Sequence, residues 1–258
     1  MNVVAYTYVF NEEDIIAESV EHMLAQGCDV YVIDNGSMDC TREILVRLAH
    51  RHPGHMQVDY YPTGNQFRLA ALLKRIEAAH KVLKPAWGVL FGADELIESP
   101  WPGVTIADAL ERIGADGYTA APTAQATFHP VDDGWRPGLS MKDYFRYWSC
   151  GRLHNVRAWR APVVRFVDGG HDVEFEGRRL WPGERLILRH YPFRNQEQAE
   201  RKIFHERLPR YAPEERRIGW HTHYDQFQRG HDFIQDPAGL REYNPETFYS
   251  EVQRCSTC

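Results

Sequence analysis

Short apolar stretches alternate with amphipathic stretches through the first half of the chain. Four of the apolar stretches are rich in β-branched and aromatic residues, which predicts buried strands at residues 3–8, 30–33, 57–61 and 87–91. The stretches between them place apolar residues at helical spacing. Strands separated by helical crossovers indicate a parallel sheet that is covered on both faces.

Start and stop signals define the helices between these strands. We predict Asn11 as the N-cap of the first helix, because acidic residues follow it, and Gly27 as the residue that ends this helix. Apolar positions then indicate a second helix around residues 44–48 and a long third helix over residues 67–82.

The second half of the chain is less regular, with short elements between longer connections. We predict, in chain order, a helix at residues 105–113, a strand at 118–127, an ordered loop at 130–152, strands at 156–159, 163–167, 173–175 and 186–190, and a polar helix at 196–208. No linker, repeat or low-complexity segment divides the sequence, so a single domain over residues 1–258 is the simplest interpretation.

Composition and charge exclude several classes of protein. The 258 residues are 43% hydrophobic and 26% charged, which is typical of a globular protein and not of a disordered or collagen-like chain. The formal net charge is −6, so we expect no nucleic-acid partner. No apolar run approaches the roughly 18 residues that span a bilayer, and the opening residues lack the pattern of a signal peptide. We therefore predict a soluble, cytoplasmic protein without a transmembrane segment.

The five cysteines are odd in number and irregularly spaced, and the predicted compartment is reducing. A disulfide framework is therefore not expected. Cys255 and Cys258 form a CxxC pair that has neither a second pair nor a histidine partner, so it is a weak signal for zinc.

Three polar clusters follow predicted strands, at residues 11–13, 34–39 and 92–95. Each alone fits ordinary helix-start or turn chemistry, but the carboxyl ends of parallel strands meet at one edge of a sheet, where ligands bind. The first cluster is not rich in glycine and the chain has no GxxxxGK[ST] motif, which disfavours a Rossmann site and a P-loop. An acidic edge that faces a phosphate ligand needs a cation, and the oxygens of Asp94 suit magnesium or manganese.

Three segments carry a resemblance to a known family. Residues 7–45 (TYVFNEEDIIAESVEHMLAQGCDVYVIDNGSMDCTREIL) and the segment LFGADE resemble the opening and the acidic metal motif of a family 2 glycosyltransferase with the GT-A fold. The segment LRHYPFRNQEQAERKI resembles a C-terminal motif in a bacterial branch of such enzymes. The resemblance covers about residues 1–205.

The resemblance implies an α/β, GT-A-like fold. Its mostly parallel central sheet would be flanked by helices and followed by an irregular C-terminal half of short strands and helices. Residues 1–115 would form a nucleotide-sugar-binding half, residues 116–220 an acceptor-side half, and residues 221–258 a C-terminal extension. The implied activity is transfer of a sugar from a nucleotide diphosphate donor to an acceptor hydroxyl, with inversion and with help from a divalent metal.

The resemblance also implies site residues. Those expected to bind the donor are Thr7, Asn11, Glu12, Asp34, Arg68, Lys74 and Asp94, with Asp34 contacting the base. Asp94 stands at the second acid of the DxD motif and would ligate Mn²⁺ or Mg²⁺, with His171 or His190 as a further ligand. Gly92 replaces the first acid of that motif, so we expect weak metal binding unless the donor nucleotide is present.

An inverting transfer needs a general base for the acceptor hydroxyl, and Asp132, Asp133 and Asp172 are the candidates. The aromatic run at residues 144–148 is a candidate sugar-stacking wall, although core packing suits at least half of it. Two other functions remain open. A sugar nucleotidyltransferase would normally open with a loop rich in glycine and basic residues, which this chain lacks. A catalytically degenerate GT-A-fold binding protein is favoured by Gly92.

Overall fold

The computed structural model describes residues 1–255, apart from the side chains of Leu153 and His154. Its strands are β1 (Val3–Val9), β2 (Asp29–Asp34), β3 (Met56–Tyr60), β4 (Trp87–Leu90), β5 (Glu95–Glu98), β6 (Ala120–His129), β7 (Tyr147–Trp159), β8 (Arg165–Val167), β9 (Asp172–Glu174), β10 (Leu186–His190) and β11 (Arg241–Glu242). Its α-helices are α1 (Ile16–Ala25), α2 (Thr41–Arg51), α3 (Leu69–Leu83), α4 (Ile106–Ala115), α5 (Met141–Tyr144), α6 (Gln196–Glu200), α7 (Pro213–Arg217) and α8 (Phe248–Gln253). Over the described residues, no helix combines the length and the apolar character needed to cross a membrane.

One large sheet organises these elements in the order β3-β2-β1-β4-β7-β6-β10-β5, with β11 paired to β7. The first four strands of this order are mutually parallel. Strand β7 then runs antiparallel to both β4 and β6, and β10 pairs parallel to β6 and antiparallel to β5. The carboxyl ends of β1, β2, β4, β6 and β10 therefore point to the same edge, where β5 begins.

The alternation of side chains along the strands explains why both faces of the sheet are covered. On β1, Val3 and Ala5 pack with helices α1, α2 and α4, whereas Val4 and Tyr6 pack with α3 on the other face. Successive residues of a strand point to opposite faces, so a continuous apolar strand needs a helical layer on each side. The predicted GT-A-like α/β fold, with a central sheet flanked by helices, is confirmed.

The first helix begins later than the sequence indicated. Asn11 does not cap it: Asn11 has a φ of 53°, and α1 begins at Ile16. The Asn11 side chain accepts from the Met38 amide at 2.8 Å, and its backbone amide donates to Ser37 at 3.1 Å. Asparagine tolerates the left-handed conformation, and here it joins the loops that follow β1 and β2.

The second half contributes more strand than predicted. The ordered loop expected over residues 130–152 ends early, because β7 begins at Tyr147 and runs to Trp159. The acidic segment after β4 also continues into a strand, β5, that the sequence did not indicate. Within the aromatic run, Phe145 and Trp148 are buried in the core, so core packing accounts for these two side chains.

A disulfide joins Cys150 of β7 to Cys255, which follows α8. The expectation that the chain would lack disulfides is therefore wrong for this pair, because the fold brings their Cα atoms to 5.8 Å, within disulfide range. Cys28 and Cys40 are free thiols. The CxxC predicted as a weak zinc signal includes Cys258, which lies outside the described residues.

Candidate functional site

Charged side chains gather at the edge of the sheet where β1, β4 and β10 end. Asp94 lies between β4 and β5, and its Oδ2 accepts a hydrogen bond from Lys202 Nζ at 2.6 Å. Lys202 Nζ also donates to the Pro192 carbonyl at 3.0 Å, and the Lys202 side chain is 3% exposed. Burial alone would raise the pKa of Asp94, but the Lys202 ammonium and His190 outweigh it and hold this pKa well below its usual range.

His190 stands on the other side of Asp94, at the end of β10. Its Nε2 lies 3.7 Å from Asp94 Oδ2, and its Nδ1 lies 3.1 Å from the amide nitrogen of Gln125 on β6. Because an amide nitrogen only donates, His190 Nδ1 accepts this bond and Nε2 carries the proton toward Asp94.

The next acid, Glu95, is held by a second buried cation. Arg157 of β7 donates to Glu95 Oε1 at 3.2 Å, and both side chains are almost fully buried. Arg157 also approaches Nδ1 of His171 at 3.4 Å, which places His171 beside Glu95 in the same charged cluster. Burial, reinforced by the positive charges of Arg157 and Arg152, lowers the pKa of His171 to about 3, so this imidazole is neutral.

Glu12 is neutralised from the C-terminal half of the chain. Arg194 is fully buried and donates to Glu12 Oε2 at 2.9 Å and to Asp14 at 3.0 Å. Arg207 approaches the other oxygen of Glu12 at 3.5 Å. Tyr8 lies among these charges: burial raises its pKa to about 12, an effect that Arg157 and Arg207 oppose.

The ends of β1 and β2 present buried polar atoms. Thr7 and Asp34 are fully buried, and neither Thr7 Oγ1 nor Asp34 Oδ2 has a hydrogen-bond partner among the described residues. The other Asp34 oxygen accepts from the Ser37 amide at 2.8 Å. Asn11 reaches across this edge, because its side-chain nitrogen donates to Glu206 at 3.2 Å.

The remaining predicted donor residues lie on or just before α3. Arg68 is half-exposed and contacts Glu214 and Gln66. Lys74 is exposed on the helix surface. No recorded hydrogen bond joins either side chain to Asp94, Glu12 or Asp34, within the part of the chain that the structure describes.

The three candidate bases occupy different places. Asp132 accepts from the Gly134 amide at 2.8 Å and from the Tyr144 hydroxyl. Asp133 accepts from the Gln196 amide at 2.8 Å, which fixes the start of α6. Asp172 begins β9 and pairs with Arg178 at 2.9 Å. Of the three, Asp172 alone adjoins a residue of the charged cluster, His171.

A π-helix (Arg201–Arg207) brings Lys202 and Arg207 to the same edge. The sequence indicated one continuous polar helix over residues 196–208, but the chain turns more widely after α6. In a π-helix hydrogen bonds connect residues five apart, so Lys202 and Arg207 lie on one side of it. Such turns are frequent at functional sites.

The described residues do not fit a resident divalent metal. They contain no group of three or more histidine, cysteine, aspartate or glutamate side chains placed to hold an ion. Asp94 is occupied by the Lys202 ammonium, and the ring nitrogens Nδ1 of His190 and His171 face N–H donors. A histidine that ligates metal through Nε2 normally donates from Nδ1 to an acceptor instead.

Sequence reasoning missed the cations of this site, namely Arg157, Arg194, Lys202 and Arg207. A signal for two of them was present, because Arg194 and Lys202 fall inside the segment LRHYPFRNQEQAERKI whose family resemblance was noted. A depression of about 700 Å³ lies at the opposite edge of the sheet, and its lining, which includes Met1, Cys28 and His55, contains none of the predicted site residues.

Comparison with known proteins gives a family match over more than half of the chain. The model of Glycosyl transferase family 2 matches residues 6–154. No curated protein matches the chain.

Three solved structures resemble part of the chain. A mannosyltransferase from Pyrobaculum calidifontis, PcManGT in complex with GDP-Man and Mn²⁺, is 22% identical with a TM-score of 0.37, over 51% of this chain and 35% of that one. S. aureus TarS is 18% identical with a TM-score of 0.35, over 55% of this chain and 23% of that one. S. aureus TarS 1-349 in complex with UDP is 19% identical with a TM-score of 0.35, over 55% and 39%. The chain thus spans between 23% and 39% of the length of these three proteins.

Proposed function

Because the chain belongs to glycosyl transferase family 2, we propose that it transfers a sugar from a nucleotide diphosphate donor to a hydroxyl group of an acceptor, with inversion. The observation that carries this proposal is the cluster of Asp94, Lys202 and His190 at the carboxyl edge of the sheet. Ligands of open α/β sheets bind at this edge, and a family 2 enzyme needs charged groups there for a diphosphate.

The donor is proposed to lie along the ends of β1, β2 and β4. Asp34 would accept a hydrogen bond from the base, which suits its oxygen that lacks a partner among the described residues. Thr7, Asn11 and Glu12 would approach the nucleotide from β1. Asp94 would mark the position of the diphosphate, and Arg68 and Lys74 would lie toward the same donor from α3.

The reaction requires a base and a stabilised leaving group. The acceptor oxygen bonds to the anomeric carbon as the bond from that carbon to the diphosphate oxygen breaks, and the acceptor proton passes to a carboxylate. We propose Asp172 as this base ahead of Asp132 and Asp133, because Asp172 follows His171 directly. The cations around Asp94 supply the positive charge that the departing diphosphate needs.

The divalent metal stays a prediction from the family resemblance. PcManGT is described with Mn²⁺, but the residues around Asp94 in this chain do not fit such an ion, as shown above. No step of the proposed reaction is routed through a metal.

A panel of sugar nucleotides tests the function directly. Purified protein is incubated with each donor, and release of the nucleoside diphosphate is measured with and without candidate sugar acceptors. We expect turnover with at least one donor and calorimetric binding of GDP or UDP. Binding without any turnover would favour the degenerate binding protein, and the absence of both would reject the proposal.

A further inference from the structure

Each acid at the carboxyl edge of the sheet already carries a cation from this chain. Glu12 pairs with Arg194, Glu95 with Arg157 and Asp94 with Lys202. The last pair is the one that matters for the donor, because Asp94 is the residue expected to hold a metal. An ion at Asp94 would have to displace a buried ammonium group from 2.6 Å.

Gly92 is part of the same arrangement. The side chain of Glu95 folds back over Gly92, whose backbone amide donates to Glu95 Oε2 at 2.6 Å. A Cβ atom on Gly92 would lie 2.9 Å from Asp94 Oδ1 and 3.2 Å from the carboxyl carbon of Glu95. The missing first acid of the motif is thus replaced in space by Glu95, which is already paired with Arg157.

The position of Lys202 is fixed by its surroundings. The π-helix directs it inward, and both Asp94 and the Pro192 carbonyl hold its Nζ. A lysine ammonium has three N–H donors, and these two bonds use two of them. Although burial lowers the pKa of Lys202, Asp94 and Glu12 raise it overall, so the group stays charged.

We propose that the Lys202 ammonium is the cation that faces the donor diphosphate at Asp94, and that this chain binds its donor and transfers the sugar without a divalent metal. The inference rests on the proposed function. As the bond from the anomeric carbon to the diphosphate breaks, the leaving group gains one negative charge, and Lys202 keeps its proton and offsets that charge. Asp94 then serves as a positioning residue, because it acts through Lys202.

The first experiment uses Mn²⁺ alone, so it does not depend on the nucleotide. Electron paramagnetic resonance follows Mn²⁺ added to the wild type, to Lys202→Met and to Lys81→Met, an exposed lysine on α3 that serves as the control. We expect no bound Mn²⁺ in the wild type or the control, and measurable binding in Lys202→Met because Asp94 is uncovered. Binding of Mn²⁺ by the wild type at the level of Lys202→Met would overturn the inference.

The second experiment adds GDP or UDP as the probe. Calorimetry in EDTA and in Mn²⁺ should give wild-type affinities that differ by less than about twofold, whereas Lys202→Met should lose about tenfold in EDTA and regain it in Mn²⁺. Lys202→Arg should retain most of the affinity in EDTA, since it keeps the charge. A wild type that binds nucleotide only with Mn²⁺ would refute the inference and leave the proposed function standing.

The two experiments separate the inference from the function. If neither nucleotide binds under any condition, the proposed function fails, and the inference about the donor fails with it. If the variants unfold, the wild type in EDTA against Mn²⁺ still decides the question, because that comparison needs no substitution.

Discussion

Asp34 combines complete burial with a carboxylate oxygen that has no partner among the described residues. A buried polar atom without a hydrogen bond costs free energy, and such atoms are rare in native proteins. The position of Asp34 at the end of β2 explains why the chain tolerates this cost, if a nucleobase supplies the missing donor.

We therefore expect Asp34→Ala to weaken binding of GDP or UDP by about 1–3 kcal/mol while the fold is retained. Calorimetry measures the affinity, and far-ultraviolet circular dichroism checks the fold. The control is Asp29→Ala, at the opposite end of the same strand, where Asp29 pairs with the exposed His55 at 2.8 Å. Equal affinity in wild type and Asp34→Ala would remove the base contact.

At this scale the sequence located acids better than their partners. Asp34 and Asp94 stand directly after predicted strands, so their edge position follows from local pattern alone. Lys202 lies 108 residues from Asp94, and Arg194 lies 182 residues from Glu12. A single sequence carries no local signal for pairs so far apart, and only the family resemblance pointed to their segment.

Among the elements, strand β5 is tied to its neighbours through one carboxylate. Glu98 is buried and accepts from Arg189 of β10 at 3.0 Å, from Tyr249 of α8 at 2.8 Å and from Lys142 of α5 at 2.6 Å. Burial opposes ionisation, yet Arg189 and Lys142 lower the pKa of Glu98 to about 2. Glu98 thus joins β5, β10, α5 and α8.

Glu98→Gln should lower the free energy of unfolding by about 3–5 kcal/mol, because it leaves the Arg189 guanidinium buried without a counter-ion. Urea denaturation at pH 7 measures the change. Glu111→Gln, on the exposed side of α4, is the control and should stay within about 0.5 kcal/mol of the wild type. A similarly small loss in Glu98→Gln would show that the ion pair does not join these elements.

Elements built from local βα units could be predicted, and the rest could not. The four strands of the first half appear close to their expected positions, and β10 has the expected ends. Strand β5 was missed because its four residues, Glu95–Glu98, begin and end with acids, and only pairing with Arg157 and Arg189 allows their burial. The π-helix was missed because its wider turn reflects tertiary contacts of Lys202 and has no periodicity of its own.

For the whole molecule, buried histidines make stability depend on pH. Burial and Arg157 lower the pKa of His171 to about 3, and burial followed by His190 lowers the pKa of His129 to about 4. Both values lie below the ordinary 6.5, so the unfolded chain takes up protons that the folded chain does not. Their contribution to stability is complete above pH 6.5 and is lost as the pH falls toward 4.

We expect the free energy of unfolding to fall by roughly 1 kcal/mol per pH unit for each of these two histidines below pH 6.5. Urea denaturation at pH 7, 6 and 5 measures this slope. His171→Gln should reduce the slope, whereas His50→Gln, at an exposed position on α2, should not. A slope that His171→Gln leaves unchanged would contradict the assignment.

The disulfide constrains the chain over 105 residues, from β7 to the end of α8. Closing a loop of this length restricts the unfolded state, so reduction, or Cys255→Ser, should lower the free energy of unfolding by about 2–4 kcal/mol. Denaturation with and without reductant measures the loss. Cys40→Ser, which removes an exposed free thiol, is the control. Identical midpoints with and without reductant would mean that the bond does not stabilise the fold.

The pairing of β5 has a consequence for the order in which the protein is assembled during synthesis. Within the described residues, β5 bonds only to β10, so Glu95 finds its neighbour His190 only after the ribosome has made residues 186–190. The parallel strands β1 to β4 can associate while the chain is still being translated, because their partners are local. The acidic segment that follows β4 must wait for the C-terminal half. The part of the molecule that would carry the chemistry is therefore the last to take its final form in the nascent chain.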